Sequence, residues 1–559
     1  MKKVLMSQKT ARFSLIAVVL LLLSSCSNKD YLKAIPEDAA MVMSVNFRAL
    51  YEKSDFAESS IKGKLDEVAD SKLSDALGKY LKDPMAMGLD ITQPVYMFVG
   101  EKEVGFVAKV DDDDDLEEFI SALYKEDLVK DKPKEKNDVM CGKMDGSLYY
   151  AFNSDAFLLV APIHGTMSPS ALAKMLKGDH KTFVDTDGYK KMEEQDDKDV
   201  LLYMNGKHLS NYLYDNMNKR EKQEFEQAMS ASPIKMEDID MLASLNFTDG
   251  SAVLSAKTWG ANDKAQKKLD DYSKEMRTIQ GTYIKSAPKD LLAWACVGMN
   301  GSWYMDILTK NDMVRKTLNE LKNETGMDLE AFVRTLDGDM AAAVPGSMLD
   351  YILQDDKTDY DSEILDFDFS VKAKVKSPST ALAFAESVKT LADTEVERSA
   401  RNTEIYGRDY TDSYLRMERV SDKEYSASIP LYKKYHQYYD YDYDWYDYDY
   451  SDYLQVTAQV RAGVSGNDLY IATPNAMNYK GSSTLDKYAA DIKQSTGFMY
   501  VNLGKILRIQ NSVAIREARK AGINLEGIDA FIIKGTPSEV TLQIDMEDKK
   551  TNFLKQLFE

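Results

Sequence analysis

Four apolar runs in this chain end in the same residue: AAMVMSV at Asn46, LLYM at Asn205, CVGM at Asn300 and FMYV at Asn502. Each run has the length and apolar density of a strand, and each is followed by a stretch with helical spacing. Asn suits the junction because its side-chain oxygen accepts a backbone N–H of the first helical turn. After each helical stretch comes a second marker, an apolar–Asp/Asn–apolar step, at Asp90, Asp238, Asp328 and Asn524. Three of these markers begin with glycine (Gly88, Gly326 and Gly522), as expected where a helix closes on a left-handed residue. Two strand-like runs separated by a turn then follow: VYMFVG and VGFVAKV, MLASLNF and AVLSAKTW, RTLDGDMAAAVPG and LDFDFSVKAKV, AFIIKG and VTLQIDM. A helix is expected after each, beginning near Leu116, Ala261, Pro378 and Lys549. The predicted unit is strand, helix, hairpin, helix.

The units come in pairs. YLKAIPEDAAMVMSVNFRAL, starting at Tyr31, returns as YIKSAPKDLLAWACVGMNGSW, starting 252 residues later at Tyr283. The chain is therefore read as an internally duplicated α+β protein, mostly antiparallel, with halves at 31–280 and 281–559. At 559 residues it is long enough for three to four units of roughly 150 residues each. Each half carries an extra hairpin between its two modules, at Leu148–Pro162 and Leu454–Thr473. Aligning Phe119 with Phe384 and Leu148 with Leu469 leaves 56 more residues in the second half, an insert at about 395–453. Within it runs YYDYDYDWYDYDYSDY, from Tyr438 to Tyr453.

That tract alternates with strand period, which puts Tyr439, Tyr441 and Tyr443 on one face and Asp440, Asp442 and Asp444 on the other. A bulge at Trp445 would keep Tyr446, Tyr448 and Tyr450 on the aromatic side. The resulting ribbon suits contact with a protein or a glycan, because Tyr offers large area at small entropic cost. The alternative is a solvated low-complexity loop. Asp440, Asp442 and Asp444 also match the opening of a calcium loop, but Trp445 and Ser451 stand where Gly and Glu are required, so no metal site is assigned.

The first residues change the picture of where the chain resides. Lys2, Lys3, Lys9 and Arg12 precede an apolar run from Phe13 to Leu23, too short to span a bilayer, and then Leu23-Ser24-Ser25-Cys26. The last four residues resemble the bacterial lipobox, which implies a signal peptide at 1–25, lipidation of Cys26 and a short tether at 26–30. Loss of the four basic residues takes the formal charge from −21 to −25. A chain so acidic, with no basic stripe, is a poor partner for nucleic acid. Cys141 is expected in a loop ahead of Gly142, and Cys296 inside a buried strand; whether they pair is left open.

Catalytic signatures are sparse. His164, His180, His208 and His436 lack the spacing of zinc ligands, and no phosphate-binding loop, HExxH or GxSxG pattern occurs. The acidic run Asp111–Asp115 is read as the N-terminus of a helix rather than as a metal site. No catalytic residue and no cofactor is assigned.

The lipobox, the onset YLKAIPEDAAMVMSVN and the two-half layout together resemble the uncharacterised Bacteroidetes lipoproteins grouped as domain of unknown function 4836. The resemblance implies a cell-envelope location and no particular activity. The expectation is a lipid-anchored envelope protein, on the outer membrane, with the side of exposure left open. Its role is expected to be binding or assembly, through an envelope protein or glycan partner. An envelope hydrolase using carboxylates and a structural spacer are the alternatives.

Overall fold

The alternation of the apolar runs becomes strands buried on both faces. The computed structural model describes residues 29–558 except 60–61, 64–65, 67–74, 145, 196, 232–233, 350–367, 407–414, 435–452, 482 and 509–512. They form two units. Unit 1 takes the chain up to Asp270 with Leu507–Asp529 and Ser538–Glu559; unit 2 takes Asp271–Ile506 and Ala530–Pro537.

The strands of unit 1 are β1 (Met41–Val45), β2 (Val95–Val99), β3 (Glu103–Lys109), β4 (Lys134–Glu135), β5 (Met140–Lys143), β6 (Tyr149–Phe152), β7 (Ala156–Pro162), β8 (Val200–Asn205), β9 (Ile239–Thr248) and β10 (Ser251–Gly260). They pair antiparallel in the order β4-β5-β6-β7-β3-β2-β1-β8-β9-β10. Unit 2 holds β11 (Leu291–Asn300), β12 (Leu336–Pro345), β13 (Ser370–Val375), β14 (Arg416–Ser421), β15 (Glu424–Lys434), β16 (Tyr453–Ser465), β17 (Asp468–Ala472), β18 (Gly497–Val501) and β19 (Ile528–Gly535). These too are antiparallel, in the order β14-β15-β16-β17-β13-β12-β11-β18-β19. The last strand, β20 (Glu539–Met546), returns to unit 1 and pairs with β10. The architecture is thus mixed, with extensive antiparallel sheet and many helices, and the compact units do not coincide with 31–280 and 281–559.

Period-two alternation sorts the core of unit 1 into two layers. Val42, Phe98, Leu201, Tyr203 and Leu242 point to one face, against Tyr31, Leu32 and Leu172. Val45, Val95 and Phe106 point to the other, against Phe47, Leu116 and Phe119. In unit 2, Trp294, Cys296, Phe498 and Tyr500 pack with Tyr283, Ile284 and Ile492. Among the described residues no helix is long and apolar enough to cross a membrane.

All four asparagines cap as expected. Asn46 accepts from the Ala49 N–H at 3.0 Å at the start of α1 (Phe47–Ser54), and Asp112 does the same for Asp115 at 3.0 Å at the start of α2 (Asp113–Lys125). Asn205, Asn300 and Asn502 accept from His208, Trp303 and Lys505 at 3.0, 3.4 and 2.9 Å. Gly88, Gly326 and Gly522 adopt φ of 75°, 73° and 80°, the left-handed region in which a Cβ is strained. Replacing any one capping Asn by Ala is expected to cost about 1 kcal/mol, read as a lower midpoint in chemical unfolding. An unchanged midpoint would mean that water satisfies the freed N–H equally well.

Two expectations need correction. Cys141 is not in a loop; it is buried in β5, and Gly142 beside it pairs with Tyr150 of β6. A Cβ on Gly142 would sit 2.2 Å from the Tyr150 hydroxyl, so this glycine makes room for a ring rather than for a turn. Burial pushes the Cys141 thiol up to about 11 and raises that of Cys296 as well; both are free and buried, the condition of an inert thiol. The insert at about 395–453 includes the end of the helix Pro378–Tyr406 and all of β14 and β15. Leu469 lies in β17, the neighbour of β13, whereas Leu148 precedes β6. The strand that neighbours β3 is β7, one strand later than that alignment assumed.

Candidate functional site

The corner after β8 is built differently from the one after β1. The helix that begins there, α3 (Gly206–Asn216), starts on a glycine, and a Cβ at Gly206 would lie 1.9 and 2.0 Å from the carbonyl oxygens of Ile239 and Met236. That contact lets the helix start press against the turn that opens β9. The Gly206 N–H donates to Asp240 Oδ1 at 3.1 Å, and the Tyr203 hydroxyl donates to Asp240 Oδ2, also at 3.1 Å. Burial raises the Asp240 carboxyl above the usual carboxylate range, and these two donors partly offset the shift. Trp259 stacks on Tyr203, with Lys191 Nζ 4.6 Å from the Trp259 ring centroid.

Two residues after α3 comes α4 (Lys219–Ala231), so the pair makes a helical hairpin. An open groove of about 730 Å³ runs along it, bounded by the Met236–Asp238 turn and by Glu101 in the β2–β3 loop. Its apolar side chains are Tyr214, Phe225, Met229 and Met236, and its carboxylates are Glu101, Asp215, Glu226 and Glu237. Glu226 accepts from the Tyr214 hydroxyl at 2.8 Å, while Lys222 lies 4.4 Å from the Tyr214 ring centroid. Lys235 reaches Glu237 at 3.2 Å. His208 is half-buried, with Nδ1 3.4 Å from Glu101 Oε1 but without the alignment of a hydrogen bond.

One face of the unit 1 sheet carries a group of methionines outside the groove lining. Met41 pairs with Met204, Met204 with Met241, and Met43 with Met97, which sets five methionines on one face. All five are only half-buried, unlike Val42, Phe98 and Leu201 on the opposite face. Methionine in such a position is deformable and accommodates varied apolar shapes. Apart from Gly206, no residue of α3 is fully buried.

The sequence did not single out these groove residues. The one available signal is the i, i+4 pairing of Leu209 with Leu213 and of Phe225 with Met229, which marks two amphipathic stripes. Cys26 and the aromatic residues Tyr439, Tyr441, Tyr443, Trp445, Tyr446, Tyr448 and Tyr450 lie outside the described residues. Among the described residues, no three His, Cys, Asp or Glu side chains gather in a way that could hold a metal ion.

A family model described as Domain of unknown function (DUF4836) matches residues 31–396. No curated protein matches the chain. Two solved structures, crystal forms I and III of TP0453, align over 44% of this chain and 84% and 86% of theirs, each at 10% identity. Their TM-scores of 0.25 and 0.22 are too low to carry an inference about fold or function.

Proposed function

The chain belongs to the family described as Domain of unknown function (DUF4836), matched over more than half its length, and from that premise we propose a lipid-anchored envelope protein that binds a partner. The observation that carries the binding role is the open groove along α3 and α4, where half-buried apolar side chains and carboxylates face solvent together. The hydrolase alternative would draw on Asp240, the carboxyl with a raised pKa beside this groove, but both of its oxygens are taken by Gly206 and Tyr203. That favours a positioning role for Asp240 within the fold.

The chain is also proposed to be a duplication. Supporting this, the order 4-5-6-7-3-2-1-8-9 of unit 1 recurs in unit 2 as 14-15-16-17-13-12-11-18-19. In each unit the first strand of one module pairs antiparallel with the first strand of the next, β1 with β8 and β11 with β18. Lys109 pairs with Ala156 and Lys374 with Asp468, so on this reading the second half gains 47 residues between the paired strands rather than 56.

Anchoring rests on Cys26, and the partner is an envelope protein or glycan met at the groove, at the Tyr438–Tyr453 tract, or at both. Cys26→Ser is expected to abolish incorporation of labelled fatty acid and to move the protein from the membrane pellet to the supernatant. Retained label would overturn the anchor. Cross-linking from intact envelopes with and without residues 438–452 then tests the tract: a partner recovered equally from both excludes it as the contact.

A further inference from the structure

We propose that the groove along α3 and α4 receives a basic amphipathic helix from a partner protein. The proposal rests on the binding role above and names its ligand class. Phe225, Met229 and Met236 supply an apolar floor, and Phe225 and Met229 stand one helical turn apart on α4. A helix laid beside the hairpin would find that spacing complementary to its own apolar stripe. Met229 and Met236 are themselves deformable, which admits a helix without demanding one side-chain shape.

Charge selects the polar face of that helix. Four carboxylates line the groove; of the cations there, Lys235 is engaged by Glu237 and Lys222 lies over the Tyr214 ring, which leaves acid in excess. Glu101 and Asp215 belong to separate elements, the β2–β3 loop and the end of α3, so an incoming helix would meet acid from more than one element. An acidic helix, a phosphate group or a second copy of this chain, with its formal charge of −21, would be repelled by the same array.

The test uses the full-length lipidated protein in detergent and two labelled model helices, one of Leu and Lys and one of Leu and Glu at the same helical spacing. The Leu/Lys helix is expected to bind saturably at one site per chain, more weakly as salt is raised, and the Leu/Glu helix not to bind. Glu101→Lys combined with Asp215→Lys is expected to weaken binding about ten-fold. Glu397→Lys combined with Asp422→Lys, two exposed acids of unit 2, is expected to leave binding unchanged and controls for the general acidity of the chain. Phe225→Ser should weaken binding with the salt dependence retained, and near-ultraviolet circular dichroism checks that each variant is folded. Equal binding of both helices would overturn the proposal, as would equal losses in the groove and control variants. If the Leu/Lys helix fails to bind while cross-linking still recovers a specific partner, the ligand class is wrong and the binding role stands. If both fail, so does the binding role.

Discussion

Gly206→Ala is expected to destabilise unit 1 by about 3 kcal/mol or more, a large effect for a single methyl group. The methyl would arrive 1.9 Å from the Ile239 carbonyl oxygen and 2.0 Å from that of Met236. Both are backbone atoms, one in the Met236–Asp238 turn and one at the start of β9, so no rotamer change relieves the overlap. Relief requires α3 to lift off, which would also break the Gly206 N–H bond to Asp240. The same substitution at Gly301, which follows the capping Asn300, brings a methyl to 1.8 Å from the Val333 carbonyl oxygen and is expected to act on unit 2 in the same way. Neither glycine has a positive φ, so the requirement is for space and not for backbone freedom. Gly63→Ala is the control: none of the described residues lies within 4 Å of its Cβ, and alanine is the better helix former by roughly 1 kcal/mol. Chemical unfolding of the three variants decides the matter, and a Gly206→Ala midpoint equal to that of Gly63→Ala would refute the close-contact explanation.

Lys53→Met is expected to cost about 3 to 5 kcal/mol. Asp199 is fully buried, and Lys53 Nζ donates to both of its oxygens at 2.7 and 2.8 Å and to Asn246 Oδ1 at 3.0 Å. The Phe247 N–H donates to the same carboxylate at 2.6 Å, and the Asp199 carbonyl accepts from Asn46 at 2.8 Å. One residue thereby joins α1, β9 and the approach to β8. Removing the ammonium leaves a buried carboxylate with a single backbone donor, and the desolvation already incurred is no longer compensated. Adding Asp199→Leu to Lys53→Met is expected to recover part of the loss, because an apolar pair does not carry that cost. A double mutant cycle read by urea unfolding measures the coupling. Losses that simply add would show that the ion pair contributes nothing beyond its separate contacts.

Much of the local structure was legible because local chemistry dictates it. An Asn at the end of an apolar run has few better uses than capping a helix, and all four did so. Asp112 capped its helix with three more acids in the first turn, where the helix dipole favours them. The glycines of three markers took left-handed conformations, and strand period separated Val42 from Met43 and Phe98 from Met97 onto opposite faces. The misreading of Cys141 had a definite cause. Gly142 looked like a turn residue, whereas its function is set by the Tyr150 ring opposite, which is invisible to a window read along one strand. Asn205-Gly206 and Asn300-Gly301 carried the same ambiguity, since the pair also suits a tight hairpin.

The sequence by itself determined the elements: where strands end, which residues cap and which face of each strand is apolar. These follow from period, capping chemistry and backbone conformation, all of which act over a few residues. Tertiary structure alone decided that β1 lies beside β8, that β20 closes on β10, that Asp199 is sealed under Lys53, and that α3, α4 and the β2–β3 loop share one groove. Those partners lie far apart along the chain, and what selects them is the fit of whole faces and the pairing of buried charge, properties that no local stretch contains.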